Sequence, residues 1–131
     1  MAIQFSSIHH LTLTVTDVER SFEFYKAVLG FELLREIPPD NRKLIMAGDV
    51  MMALRPTPDM PDDRFNENRA GLDHLSFSVD SRADLESAIR LLDEMGVPHG
   101  EIEDLPTSKL YMLTFRDPDN IQLELTAPYG S

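Results

Sequence analysis

The sequence predicts an α+β fold built from two tandem βαβββ modules, and three observations carry that prediction. Two stretches that alternate apolar and polar residues are each followed by a helical stripe and then by three more strand-like runs, so the order βαβββ occurs twice. Sliding the chain against itself by 64 residues brings His10 onto His74, Leu11 onto Leu75, Thr12 onto Ser76, Leu13 onto Phe77, Thr14 onto Ser78 and Val15 onto Val79. Each helix then closes on a similar triplet, "LGF" at 29–31 and "MGV" at 95–97. At 131 residues the chain is one domain with room for an ordinary core. The duplication implies two like units related by a pseudo-twofold axis: module 1 about 5–56, a linker about 57–70 and module 2 about 71–128.

Each element follows from local pattern. "IHHLTLTVTD" puts Leu11, Leu13 and Val15 on one face of a strand and Thr12 and Thr14 on the other. In "VERSFEFYKAVLGF", Val18, Phe22, Tyr25 and Leu29 make one helical stripe; Thr16 or Asp17 can cap its start and Gly30 suits its stop. "FELLREI", "KLIMAG" and "VMMALR" read as three strands. "PTPDMPDDRFNENRAG", with three prolines, reads as an irregular exposed connection. "LDHLSFSVD" is again a strand. "SRADLESAIRLLDEMG" is again a helix, with a Ser81–Asp84 capping box, a Leu85–Ile89–Leu92 stripe and Gly96 at its end. "GVPHGEIE", "SKLYMLTFRD" and "NIQLELTAP" complete the second set of strands.

Composition narrows the function classes. With 42% apolar and 27% charged residues this is an ordinary soluble globular composition. No cysteine is present, which removes disulfides, thiolate metal sites and a cysteine nucleophile. A net charge of −11 repels phosphate backbones and anionic lipid, so neither nucleic acid nor membrane is an expected partner. The first residues lack a basic segment followed by an apolar run, and no apolar run reaches membrane-spanning length. The expected location is the cytoplasm.

Strand parity separates the two adjacent histidines. His9 shares the face of Leu11, Leu13 and Val15, which packs on the helices. His10 shares the face of Thr12 and Thr14. In the second module Asp73 takes the place of His9, while His74 repeats His10 beside Ser76 and Ser78. On the last strand Ile121, Leu123 and Leu125 form the apolar face, and Gln122, Glu124 and Thr126 the polar one. Two imidazoles and one carboxylate on polar faces can form a triad that holds a divalent ion and leaves coordination positions open. The plainer alternative is that His10, His74 and Glu124 are polar residues on wet sheet faces. Aligning the two modules puts Ala53 at the position of Glu124, so a second carboxylate ligand is missing.

These residues resemble the vicinal oxygen chelate superfamily, which holds glyoxalases, bleomycin-resistance proteins and extradiol dioxygenases. "HLTLTVTDVERSFEFYKAVLGFEL", "GLDHLSFSVD" and "FRDPDNIQLELTAP" look like its three motifs, and the likeness runs over essentially the whole chain. The resemblance implies a cupped, partly closed mixed sheet with helices on the outside, and carries the family's metal ligands onto His10, His74 and Glu124. It implies one divalent metal ion, Fe(II) or Mn(II) first and Zn(II) or Ni(II) as alternatives. It further implies a small substrate that chelates the ion through neighbouring oxygens, and a homodimer. Ala53 at the fourth ligand position argues against ordinary glyoxalase I activity. The remaining set resembles extradiol dioxygenases and fosfomycin-type thiol transferases. Against the first, residues 11–73 contain no histidine and Thr114, not Tyr111, stands where a penultimate-strand tyrosine is expected. Against the second, Lys109 is the one cation near in the second module, although Thr12 matches a threonine beside the first ligand. The implied activity is a metal-dependent dioxygenase or a lyase or transferase; the alternative is a non-catalytic small-molecule-binding protein of the same fold.

Further residues have two readings each. Tyr111 is the candidate catalytic proton or hydrogen-bond donor if it faces the cup, and a half-buried strand tyrosine otherwise. Arg55 shares the parity of Ala53 and can meet an anionic substrate, or be a solvated edge arginine. Met46, Met51 and Met52 can line an apolar pocket, though core packing suits Met52 better, since it takes the parity of Leu123.

Overall fold

The computed structural model describes residues 1–131. It divides into two compact units, Met1–Asp62 and Asp63–Ser131. Each has the α+β order that the sequence predicts.

In the first unit β1 (Leu11–Val15) leads into α1 (Val18–Leu29), then β2 (Glu32–Ile37), β3 (Arg42–Ala47) and β4 (Val50–Pro56). The four strands form one mixed sheet in the order β1-β4-β3-β2, with β1 parallel to β4 and the other pairs antiparallel. The predicted alternation is obeyed: Leu13, Val15, Ile45, Met52 and Leu54 are buried, while Thr12 and Thr14 are exposed. Asp17 caps α1 by accepting the Arg20 N–H, and Gly30 closes it at φ 74°, a left-handed conformation that glycine adopts without a Cβ penalty. Of the helical stripe, Tyr25 is fully buried. Lys43 is also buried, on the helix side, and its ammonium is answered by Glu19 at 2.9 Å and by Glu36. A charge taken out of water needs such partners.

The second unit repeats the plan with β5 (Leu75–Ser78), α2 (Arg82–Glu94), β6 (Glu103–Leu105), β7 (Leu110–Arg116) and β8 (Gln122–Pro128). Its sheet order is β5-β8-β7-β6, again with a parallel first pair. Leu85, Leu92, Leu113, Phe115 and Leu123 form its core. The capping box forms: the Ser81 side chain accepts from the Asp84 N–H, and Asp84 accepts from the Ser81 N–H. Between β7 and β8 the buried Asp117 carboxylate accepts from the backbone of Asp119 and Ile121, both at 2.8 Å, and thereby shapes the turn.

Two sequence expectations change. "GVPHGEIE" is not a strand along its length: the paired residues shift to β6, and His99 keeps only an isolated bridge to Phe115. Pro98 has no N–H for a ladder, and the run is tied down irregularly through Arg116 N–H to Pro98 O and Gly100 N–H to Thr114 O. The proline-rich connection is irregular as expected but anchored at its far end. Arg116 grips Glu67 with two hydrogen bonds, of 2.8 and 3.0 Å. The guanidinium pulls the Glu67 carboxyl down to about 2.

Candidate metal centre

The register of the two parallel pairs fixes which residues correspond. Thr12 lies opposite Ala53 on β1 and β4; Ser76 lies opposite Glu124 on β5 and β8. Since Thr12 and Ser76 match in the internal repeat, Ala53 is the counterpart of Glu124. The same register makes Arg55 the counterpart of Thr126.

His74 precedes the first residue of β5, as His10 precedes that of β1. The parity argument therefore reaches one residue beyond each strand. His74 Nε2 lies 3.5 Å from a Glu124 carboxylate oxygen, and its Nδ1 lies 2.8 Å from Asp73 Oδ1. With the ring neutral and Nδ1 protonated, the Nε2 lone pair faces the carboxylate. Asp73 then plays the part of an outer carboxylate that fixes the tautomer and orientation of a ligating histidine. Asp73, followed by the weaker field of Glu124 and opposed by burial, raises the His74 pKa above the ordinary imidazole value.

Glu124 is 7% exposed. Its Oε1 accepts from the Thr126 hydroxyl at 3.2 Å, and Thr126 is bonded in turn to Ser76 Oγ. Because Thr126 spends its proton on Glu124, Ser76 is the donor in the second bond. A carboxylate buried on a sheet and held by this short chain keeps an oxygen directed at His74. Nitrogen and oxygen donors of this kind, with a carboxylate behind the imidazole, suit a divalent first-row ion.

Of the sequence-predicted ligands the structure gathers two, His74 and Glu124. His10 belongs to the first unit, is exposed, and has its Nδ1 2.9 Å from His9 Nδ1. No group of three His, Asp or Glu side chains is gathered closely enough to hold a metal ion. Thr12 is exposed on β1 and Arg55 half-buried on β4, both on the face of Ala53. Tyr111 does not share the face of Glu124. That face takes Met112, opposite Thr126, and Thr114, opposite Glu124 itself, whereas Tyr111 pairs with the buried Ala127. Its ring lies 4.8 Å from the Arg82 guanidinium at the start of α2 and 5.0 Å from Tyr129. Strand alternation thus places Tyr111 on the face opposite to that of Glu124. Met52 is fully buried, as its parity requires, and Met46 and Met51 are half-buried on the other face.

Sequence reading missed Asp73, Thr126 and Ser76 as supports of the donors. The signal for Asp73 was its adjacency to His74, a carboxylate where the first module has His9.

The superfamily model described as Glyoxalase/Bleomycin resistance protein/Dioxygenase matches residues 7–125. The chain is 34% identical over 124 residues to the protein YwkD of Bacillus subtilis (strain 168), covering 91% of this chain and 94% of that one. It is 29% identical to the metallothiol transferase FosB of Staphylococcus saprophyticus, covering 91% of this chain and 75% of the relative. Among solved structures, a glyoxylase/bleomycin resistance protein/dioxygenase domain from Frankia sp. EAN1pec superposes with a TM-score of 0.85 at 34% identity, covering 95% of this chain and 99% of that one.

Proposed function

The chain belongs to the glyoxalase/bleomycin resistance protein/dioxygenase superfamily, and on that premise we propose that it is a divalent-metal-dependent enzyme acting on a small molecule that offers two neighbouring oxygens to the ion. The observation that carries this reading is the His74–Glu124 pair, with Asp73 behind the imidazole and the Thr126–Ser76 hydroxyls behind the carboxylate. His74, Glu124 and His10 are the proposed ligands. Fe(II) or Mn(II) is the proposed ion, with Zn(II) or Ni(II) as alternatives. When bound, the ion supplies Lewis acidity that stabilises negative charge on the substrate oxygens.

The chain's own residues do the rest. Asp73 holds the His74 ring in place, and Thr126 keeps Glu124 oriented. Ala53 leaves the first unit without a second carboxylate, so the proposed chemistry is that of a thiol transferase or dioxygenase rather than of glyoxalase I. The likeness to FosB supports the transferase arm. Thr12 and Arg55 are the proposed substrate contacts of the first unit. A cytoplasmic homodimer is the proposed form; no helix is long and apolar enough to cross a membrane.

Ala53 also favours a second reading. A methyl in place of a ligand suits a protein of the same fold that binds a small molecule without transforming it.

Anaerobic reconstitution with Fe(II), Mn(II), Ni(II) and Zn(II) tests the choice against a panel of catechols, thiol hemiacetals and thiol-plus-epoxide pairs. Turnover of one class that disappears in His74→Ala is the expected result. Binding of panel members without turnover in any metal form would replace the enzyme by the binding protein.

A further inference from the structure

One side chain joins the proline-rich connection to the candidate metal centre. Gln122 opens β8 on the face of Glu124, opposite Arg116 on β7. Its Oε1 accepts from Arg116 Nη2 at 3.2 Å, and its Nε2 donates to Asp73 Oδ1 at 2.9 Å. Arg116 also holds the Asn120 carbonyl at 3.1 Å and both carboxylate oxygens of Glu67. Asp73 Oδ1 in turn meets His74 Nδ1 at 2.8 Å. An unbroken chain of side chains therefore runs Glu67, Arg116, Gln122, Asp73, His74, and the far nitrogen of that ring faces Glu124.

Residue chemistry fixes the direction of each bond. A guanidinium only donates and a carboxylate only accepts. Between the two an amide fits in one orientation, with its oxygen to Arg116 and its nitrogen to Asp73. Asp73 accepts, so a neutral His74 carries its proton on Nδ1 and leaves the Nε2 lone pair free. The Asp73 side chain is 65% exposed. Solvent competes for so open a carboxylate, and holding it in one rotamer costs entropy. Arg116 is itself clamped by Glu67 and the Asn120 carbonyl. It holds Gln122, and Gln122 holds Asp73 against the ring.

We propose that Gln122 is a positioning residue of the metal centre, acting through Asp73 on the His74 ring, and that Glu67 fastens the far end of the connection to that ring through Arg116. This rests on the reading of His74 as a ligand only for its effect on metal affinity. The tautomer and orientation of the ring belong to the metal-free chain.

The test reads the ring nitrogen NMR resonances of His74 in metal-free protein at about pH 9, well above the ordinary imidazole value. Mn(II) affinity is measured beside it at neutral pH from the EPR signal of the free ion. Wild type should show the Nδ1–H tautomer. Gln122→Met keeps the length of the side chain and removes both polar ends. It should bring in the Nε2–H tautomer and weaken Mn(II) binding about tenfold, the low end of what outer partners of a ligating histidine contribute. Gln122→Glu should do the same, because it still accepts from Arg116 but turns a repelling carboxylate on Asp73. Glu67→Ala should move both readouts in the same direction by less. An unchanged tautomer in the folded Gln122 variants would overturn the inference, even with a lowered melting temperature, since Gln122 would then be structural only. Unchanged Mn(II) affinity in them would overturn it as well. If one Gln122 variant fails to fold, the other carries the test. If wild type took up no Mn(II), the metal reading would fail, and the tautomer would still decide whether Gln122 sets the ring.

Discussion

The two βαβββ units share a backbone plan and differ on one sheet face. Their parallel pairs have the same register, and Met52 and its counterpart Leu123 are both fully buried. On the other face, the second unit has a buried glutamate beside a histidine whose outer nitrogen is held by Asp73. The first has Ala53, an unpartnered arginine, and a histidine preceded by His9. The helix-packed face of each strand is constrained by burial, so duplication survives there. The opposite face is free of that helix packing, and there the two units differ.

The largest expected effect tests the shared part. Met52→Ala and Leu123→Ala remove equivalent buried side chains, and each should cost about 2–5 kcal/mol of stability in denaturant unfolding. A near-zero cost for one of them would break the equivalence of the units. Next, Ala53→Glu restores the missing carboxylate at a position 6% exposed. Metal-free protein should lose about 1–3 kcal/mol from overpacking and from a carboxylate without a partner. A divalent ion should return part of that loss, seen as a larger metal-induced rise in melting temperature than in wild type. Asp73→Asn then probes the support that distinguishes His74 from His10: metal affinity should fall by roughly 10–100-fold in a competition titration.

The smallest effect lies away from the centre. His99 has Asp93 Oδ1 at 2.6 Å from Nε2 and Gly100 O at 2.6 Å from Nδ1, so both nitrogens are best protonated. The Asp93 hydrogen bond first, then the Gly100 carbonyl, raise its pKa above 6.5. A raised folded value gives stability that is complete below 6.5 and lost as pH climbs through the folded pKa. His99→Gln should therefore lower the melting temperature most in mildly acidic buffer, by the equivalent of about 1 kcal/mol or less, with the gap closing as pH rises. A gap that widens with pH would mean a neutral ring.

Most of the fold was legible because it is written in local period. The alternation around Leu13 and Val15, the Asp17 cap and the Ser81–Asp84 box are signals within a few residues, and the repeated strand order that matches His10 with His74 also matches Ala53 with Glu124, though at a different offset. Features that depend on distant partners were not legible. The Arg116–Glu67 bond spans 49 residues. The bridge at His99 replaces a predicted strand because of contacts to β7. The orphaned Nε of Arg55 is a fact of burial that no spacing records. At the candidate centre, residue types and parity pointed to His10, His74 and Glu124, of which the structure gathers the last two, and the carboxylate and hydroxyls that orient them emerge only from the folded structure.

The central claim, that His74 and Glu124 are metal ligands, is tested most directly by elemental analysis of well-folded wild type and His74→Ala after reconstitution and removal of free ion. The account predicts stoichiometric divalent metal in the wild type and background metal in the variant. Equal metal in both would contradict it.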